Sequence, residues 1–258
     1  MEILSFDIAG KFAHFRKYYA NNTAMSFSLP PRTTVIGIIA AAMGLPKDSY
    51  YEDLNSDKIR IGIRILSQIK KSFHRLNLLK IKGVSDFRGK EKHVQTPFEV
   101  VSGIDIKNKE VRYRIYVSYY QNSKEIFDRI TSIFLNKKFV YSATLGTANF
   151  LARIENIKLH SDNFISEIKI SNEYTIIDSV CLSDCVEEII FDKNDQFRYN
   201  MIEEELLPSD FKSNGDRELV KMNRVLLSYG NIPLNVKFSG TLYIINEENK
   251  NQTIQFLD

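Results

Sequence analysis

The sequence predicts an α+β protein: a ferredoxin-like domain over residues 1–164, carrying a long basic insertion at about 70–97, followed by a smaller β-rich lobe over 165–258. Three observations carry that expectation. Two runs, Arg60 to Leu66 and Val111 to Val117, alternate with period two, setting apolar side chains on one face and arginines on the other. Two others, Arg32 to Met43 and Ser123 to Leu135, have helical spacing. Beyond residue 165 the chain breaks into short β-like runs separated by polar turns.

Taken in order, Glu2 to Ile8 alternates weakly and reads as a first strand. A helix over Arg32 to Met43 opens at Pro30-Pro31-Arg32-Thr33-Thr34, where proline suits the first turn and free N–H groups beside Arg32 would receive a phosphate. Arg60 and Arg64 on one strand and Arg112 and Arg114 on another suggest a single basic surface. Ser123 is placed to cap the second helix, whose apolar positions are Ile126, Ile130, Ile133 and Phe134, and Leu151 to Leu159 returns as a strand. Strand, helix, strand, strand, helix, strand is the ferredoxin-like order, an architecture common among RNA-recognition domains that does not by itself establish function. In the tail, Tyr174 to Val180, Leu234 to Phe238, Thr241 to Ile245 and Thr253 to Leu257 read as strands, and Glu203-Glu204-Glu205 before Leu206-Leu207-Pro208 as an exposed helix end or loop.

Charge divides the chain. The net +3 conceals +11 over residues 1–150 (24 Lys+Arg, 13 Asp+Glu) and −8 over 151–258 (11 against 19). Such polarity points the first part at nucleic acid and leaves the acidic part to repel it or to meet a basic partner. The longest apolar run, Val35 to Leu45, has 11 residues, too few to span a membrane, and no signal peptide is indicated, so a cytoplasmic location is expected. Cys181 and Cys185 have no second pair or nearby histidine, and His14, His74, His93 and His160 form no metal or triad spacing; no metal and no cofactor are expected.

The richest segment is the loop after the first strand, where Lys11, His14, Arg16 and Lys17 alternate with Phe12, Phe15, Tyr18 and Tyr19. Cations neutralise phosphates and rings stack on bases, so RNA is the expected ligand. A buried, satisfied His14 is the competing reading, and at least one of Phe12 and Phe15 is structural. Residues 70–94 set eight cations, Lys70, Lys71, Arg75, Lys80, Lys82, Arg88, Lys90 and Lys92, against Asp86 and Glu91. An insertion of that length is usually functional or disordered, a solvated loop being the plain alternative. Thr147 and Asn149, after Gly146, offer donors to RNA, although a simple turn explains them as well.

Gly10-Lys11-Phe12-Ala13-His14-Phe15-Arg16-Lys17 and Pro30-Pro31-Arg32-Thr33-Thr34-Val35-Ile36-Gly37 together resemble the N-terminal signature of a CRISPR-associated family. It is the fifth numbered Cas family, of the RAMP superfamily, whose members hold the 5′ handle of CRISPR RNA in type I Cascade complexes. Thr96-Pro97-Phe98-Glu99 and Leu145-Gly146-Thr147-Ala148-Asn149-Phe150-Leu151-Ala152 resemble its later segments in the same order, so the likeness spans roughly residues 1–160; the helix start looks most like subtype I-B. The resemblance implies a non-catalytic subunit in antiviral defence that caps the complex. Its partners would be CRISPR RNA, the Cascade backbone and large subunits and, through the complex, target DNA. It implies that the insertion is a thumb-like hairpin over the RNA. The RNA-binding residues expected on these grounds are Lys11, His14, Arg16, Lys17, Arg32, Thr33, Arg75, Lys80, Lys82, Arg88, Lys90, Lys92, His93, Thr147 and Asn149.

Two other functions are open. In I-C relatives the same fold cuts precursor RNA without metal, and Tyr50, Tyr51, Lys92 and His93 would be the residues for an analogous endoribonuclease. A scaffolding protein whose basic face meets an acidic partner is the other.

Overall fold

The computed structural model describes residues 1–20, 23–81, 83–89, 93–107, 109–191, 202–212, 217–247 and 251–258. The chain opens with β1 (Ile3–Gly10), buried along its whole length, then short strands β2 (Phe12–Ala13), β3 (Phe15–Arg16) and β4 (Ser26–Phe27). Helix α1 (Arg32–Met43) follows, ending at Gly44, whose left-handed φ of 73° lets its N–H reach back to the helix. After β5 (Ile59–Ile65) come β6 (Ile69–Leu79) and β7 (His93–Gly103), then β8 (Val111–Tyr119), α2 (Lys124–Leu135) and β9 (Ala152–His160). Ser123 stands at the N-cap of α2 as expected, but its side chain makes no capping hydrogen bond.

Strands β5, β8, β1 and β9 form one antiparallel sheet in that order. Leu4, Phe6, Ile8, Ile61, Ile63, Ile115 and Val117 pack with Val35, Ile39, Phe127, Ile130 and Phe134 of the helices in one core. The Phe6 and Phe134 rings lie 4.5 Å apart. α1 is apolar nearly all round because it is buried nearly all round, covered also by β13 (Ile202–Phe211).

Strands β6 and β7 form a long antiparallel hairpin, paired from Ile69–Gly103 out to Leu79–His93. Its base is buried, while Phe73, Leu76, Leu78 and Leu79 of β6 are exposed, as are Val84 and Phe87 in the turn.

The C-terminal part supplies β10 (Ile165–Ile177), β11 (Cys181–Leu182), β12 (Val186–Ile189), β13, β14 (Leu219–Ser228), β15 (Leu234–Ile245) and β16 (Gln252–Ile254). They form one sheet in the order β10-β15-β12, with β16 beside β15, and another in the order β11-β14-β13. The acidic run Glu203-Glu204-Glu205 is therefore strand, not helix end or loop: Glu205 points inward, where Lys17 meets it at 2.8 Å and Lys71 at 3.4 Å. Leu234 to Ile245, read as two strands from the sequence, is one.

The same part covers the arginine face of the first sheet. Arg64 and Arg114 are cross-strand neighbours, so the two basic strands do make one surface. It is spent internally: Arg60 pairs with Asp258 at 2.6 Å, Arg64 with Asp178 at 3.1 Å and Arg114 with Asp7 at 2.7 Å. The outer edge of β5 is closed as well, since Ile61 O accepts from Leu257 N and Ile63 O from Val180 N. Among the described residues no helix is long and apolar enough to cross a membrane.

Candidate nucleic-acid interface

A cleft of about 550 Å³ opens beside the first turn of α1. Its walls come from stretches far apart in the chain: His14 to Tyr18, the helix start with Thr33, Thr34 and Gly37, the pair Tyr50 and Tyr51, Ser142 to Thr147, and Pro208, Phe211 and Arg217, with Phe98 of β7 at one side. Gly146 makes the junction possible. It adopts φ 96°, and a Cβ there would lie 1.8 Å from the carbonyl oxygen of His14, so no other residue fits. His14 N donates to Leu145 O at 3.0 Å, and Leu145 N to Phe150 O at 2.8 Å, which closes the glycine loop onto β2 and β3.

The His14 ring lies flat on Phe98, centroids 4.0 Å apart, and its Nδ1–H donates to the Glu99 carbonyl at 2.7 Å. Burial lowers its pKa, against the opposing pull of that hydrogen bond. The ring is thus neutral at neutral pH, with Nδ1 protonated and Nε2 the acceptor. Across the cleft, the Tyr50 and Tyr51 rings meet tilted at 55° with centroids 4.9 Å apart, and Asp48 accepts from the Tyr51 hydroxyl at 2.5 Å and from Arg217 Nε at 3.0 Å. Burial, and for Tyr51 the bond to Asp48, raise both phenol pKa values. Phenols held protonated donate hydrogen bonds and stack; they are poor bases. Arg16 and Arg217 are the exposed cations of the lining, Tyr18 is half exposed, and Thr33, Thr34 and Thr147 add hydroxyls. Rings, cations and hydroxyl donors in one groove suit a single nucleic-acid strand.

Of the residues expected from the sequence, Arg16, Thr33 and Thr147 come together here, Asn149 is exposed on the same glycine loop, and His14 reaches the cleft wall as the buried, satisfied histidine of the competing reading, bonded to Glu99 O and stacked on Phe98. Two expectations are corrected. Arg32 does not face a ligand: only 2% exposed, it pairs with Asp210 at 2.7 Å and donates to the carbonyls of Leu54 and Ile59 at 2.9 and 2.6 Å. Lys17 is buried, held by Glu205 at 2.8 Å and lying over the Phe27 ring. Both extend a long side chain into polar groups brought from the C-terminal part, a pairing that local sequence does not reveal. Lys11 lies at the other end of β2, in a separate cleft, with its Nζ donating to Lys107 O at 3.0 Å.

Arg75, Lys80, Arg88 and His93 are on the β6–β7 hairpin and its turn, away from the cleft; Lys82, Lys90 and Lys92 lie outside the described residues. His93 is five residues along β7 from Phe98, about 17 Å at the usual strand rise, so it does not join Tyr50 and Tyr51 in a catalytic group. Sequence reasoning missed Arg217 and Phe211. Nothing around them but a polar turn marks them, and only the return of β13 beside α1 brings them to the cleft.

Residues 3–205 match the family described as CRISPR-associated protein (Cas_Cas5). No curated protein matches the sequence. Among solved structures, a CRISPR protein from Archaeoglobus fulgidus superposes with a TM-score of 0.58 at 12% identity, over 99% of this chain and 100% of that one, a likeness of fold. A chain of a CRISPR RNA-guided surveillance complex superposes with a TM-score of 0.46 at 13% identity, over 91% of this chain and 90% of that one.

Proposed function

The chain belongs to the Cas5 family of CRISPR-associated proteins, and from that premise we propose that it is a non-catalytic subunit of a type I Cascade effector complex, holding the 5′ handle of CRISPR RNA in the aromatic cleft. The observation that carries this reading is convergence. Segments around residues 14–18, 33–37, 98 and 142–147, which include parts of all four family-like blocks, line one groove, with rings and a cation from the first and Phe98 and small or hydroxyl side chains from the others, and Tyr50, Phe211 and Arg217 complete it. In this reading Tyr18, Tyr50 and Phe98 stack on bases, the buried Tyr51 backs Tyr50, and Arg16 and Arg217 meet phosphates. Protonated tyrosines and a distant His93 favour holding over cleavage.

Within the same proposal, the β5-β8-β1-β9 sheet with α1 and α2 is the ferredoxin-like RNA-binding unit, residues 1–164, and residues 165–258 are the smaller lobe clasped against it. The β6–β7 hairpin is the thumb, carrying Arg75, Lys80, Arg88 and His93 over the RNA and its exposed apolar side chains toward the backbone subunit. Asn149 contacts RNA from the rim. The large subunit and, through the complex, target DNA are the other partners, in the cytoplasm; the helix start favours subtype I-B.

The test is binding of end-labelled repeat RNA to the full chain in chelator, read by filter retention and on a denaturing gel. Wild type is expected to retain intact RNA, and Arg16→Ala with Tyr18→Ala to bind roughly tenfold or more weakly while staying folded, since loss of one stacked ring costs about 1–3 kcal/mol. Unchanged affinity in the folded double variant sinks the assignment of the cleft, and a discrete cleavage product makes the protein a processing nuclease.

A further inference from the structure

We propose that a second cleft, at the other end of β2, is a sequence-independent phosphate-backbone site that takes the same RNA strand beyond the aromatic cleft; this rests on the reading of the protein as RNA-binding. The second cleft encloses about 630 Å³ between the β5–β6 connection, the start of β8 and the turn at Asn231. Lys11 lines it, and His14 lines the first cleft three residues later, so these two lining residues are about 10 Å apart along an extended backbone. One strand of RNA a few nucleotides long bridges that distance.

The chemistry of the walls says what part of the strand is held. Three cations, Lys11, Lys109 and Arg112, face one carboxylate, Glu110. That carboxylate is taken by Arg153, at 3.3 and 2.7 Å, and the hydrogen bonds lower its pKa, so the cleft keeps a positive field. Glu155 lies 3.2 Å from Arg112 Nη2 and engages one end of that guanidinium. Lys11 is a positioned cation, because Lys107 O fixes its ammonium. Asn231 is fixed too: Arg64 donates to its Oδ1 from Nε and Nη2 at 3.1 and 2.9 Å, which directs the amide NH2 away from Arg64. With Ser67 and Gln68, this provides neutral donors and acceptors for sugar hydroxyls.

Unlike the first cleft, this one has no aromatic residue in its lining among the described residues, and those residues offer no ring to stack on a base. The two clefts therefore divide the work, the first gripping bases and the second only the backbone. Phosphate contacts position a strand without reading its sequence.

The experiment compares two RNAs on the full chain: one of handle length, and the same RNA extended by about eight nucleotides of arbitrary sequence at either end. Lys11→Ala with Lys109→Ala is expected to leave the short RNA unaffected and to weaken an extended one roughly tenfold at low salt. Its log affinity against log salt slope should fall by about 1.4, two phosphates at 0.7 each, whatever the added sequence. Lys11→Arg with Lys109→Arg should restore both affinity and slope. If wild type binds the extended RNAs and the alanine variant keeps their affinity and slope, the second site is wrong while the first stands. If the loss depends on the sequence of the extension, the backbone-only assignment is wrong. If wild type binds neither RNA, the underlying reading fails and this proposal goes with it.

Discussion

At Arg32 the sequence invites one role and the fold assigns another. A basic residue after two prolines at a helix start looks like a phosphate ligand, yet its guanidinium closes the end of β5 and pairs with Asp210. Removing one partner of a buried ion pair costs about 3–5 kcal/mol. Arg32→Ala should therefore lower unfolding free energy by that much in denaturant titration, with RNA affinity preserved wherever the variant remains folded; lost affinity at unchanged stability would show a ligand role instead. His14 makes a pH prediction. Its pKa is lowered in the folded state, chiefly by burial, so below about pH 6.5 the unfolded chain takes up a proton that the folded chain resists. Stability is full above that pH and falls as pH drops through the region. His160, which hydrogen-bonds Ser5 and is lowered for the same reason, adds to the slope. In His14→Asn, whose amide supplies a donor near the Nδ1 position, the loss of stability between pH 7 and 5.5 should be smaller than in wild type; an unchanged loss would contradict a neutral His14. The chemistry of Arg16 and His14 was legible in the loop, but which of its cations stay exposed depends on carboxylates some 190 positions away, as Lys17 and Glu205 show.

Among the elements, both helices and the strands of the first sheet are legible because period two and helical spacing mark them directly. The acidic strand β13 is not, because three consecutive glutamates hide the alternation, and Glu205 is tolerable inside only through Lys17 and Lys71. The β6–β7 hairpin was visible as a basic insertion, whereas its pairing out to Leu79–His93 was not. Most of its outer part is exposed and contributes little to the core. Replacing residues 76–96 by a two-residue turn should leave the melting temperature within a few degrees of wild type while weakening RNA binding and its salt dependence. Melting far below wild type would show that the hairpin supports the fold; unchanged RNA binding and salt slope would remove it from the interface.

Over the whole molecule, the division into +11 and −8 is resolved in part within the chain. Five pairs, Lys17–Glu205, Arg32–Asp210, Arg60–Asp258, Arg64–Asp178 and Lys71–Glu203, join cations of the first part to carboxylates of the second. The acidic part thus finds basic partners in the same polypeptide, and Arg16 in one cleft and Lys11 and Lys109 in the other are among the cations that this pairing leaves over, as are Arg75, Lys80 and Arg88 of the hairpin. A sum over residues shows the asymmetry but not the pairing, which is why the sequence pointed to a basic first part and overstated how much of it faces solvent. Occupation of the aromatic cleft by RNA is the central claim. The direct measurement is photocrosslinking of the full chain to repeat RNA carrying 4-thiouridine at each uridine, with the adducts mapped by mass spectrometry. Adducts at Tyr18, Tyr50 or Phe98 are predicted, and adducts confined to the β10-β15-β12 sheet, or RNA retained with none in the cleft, would contradict it.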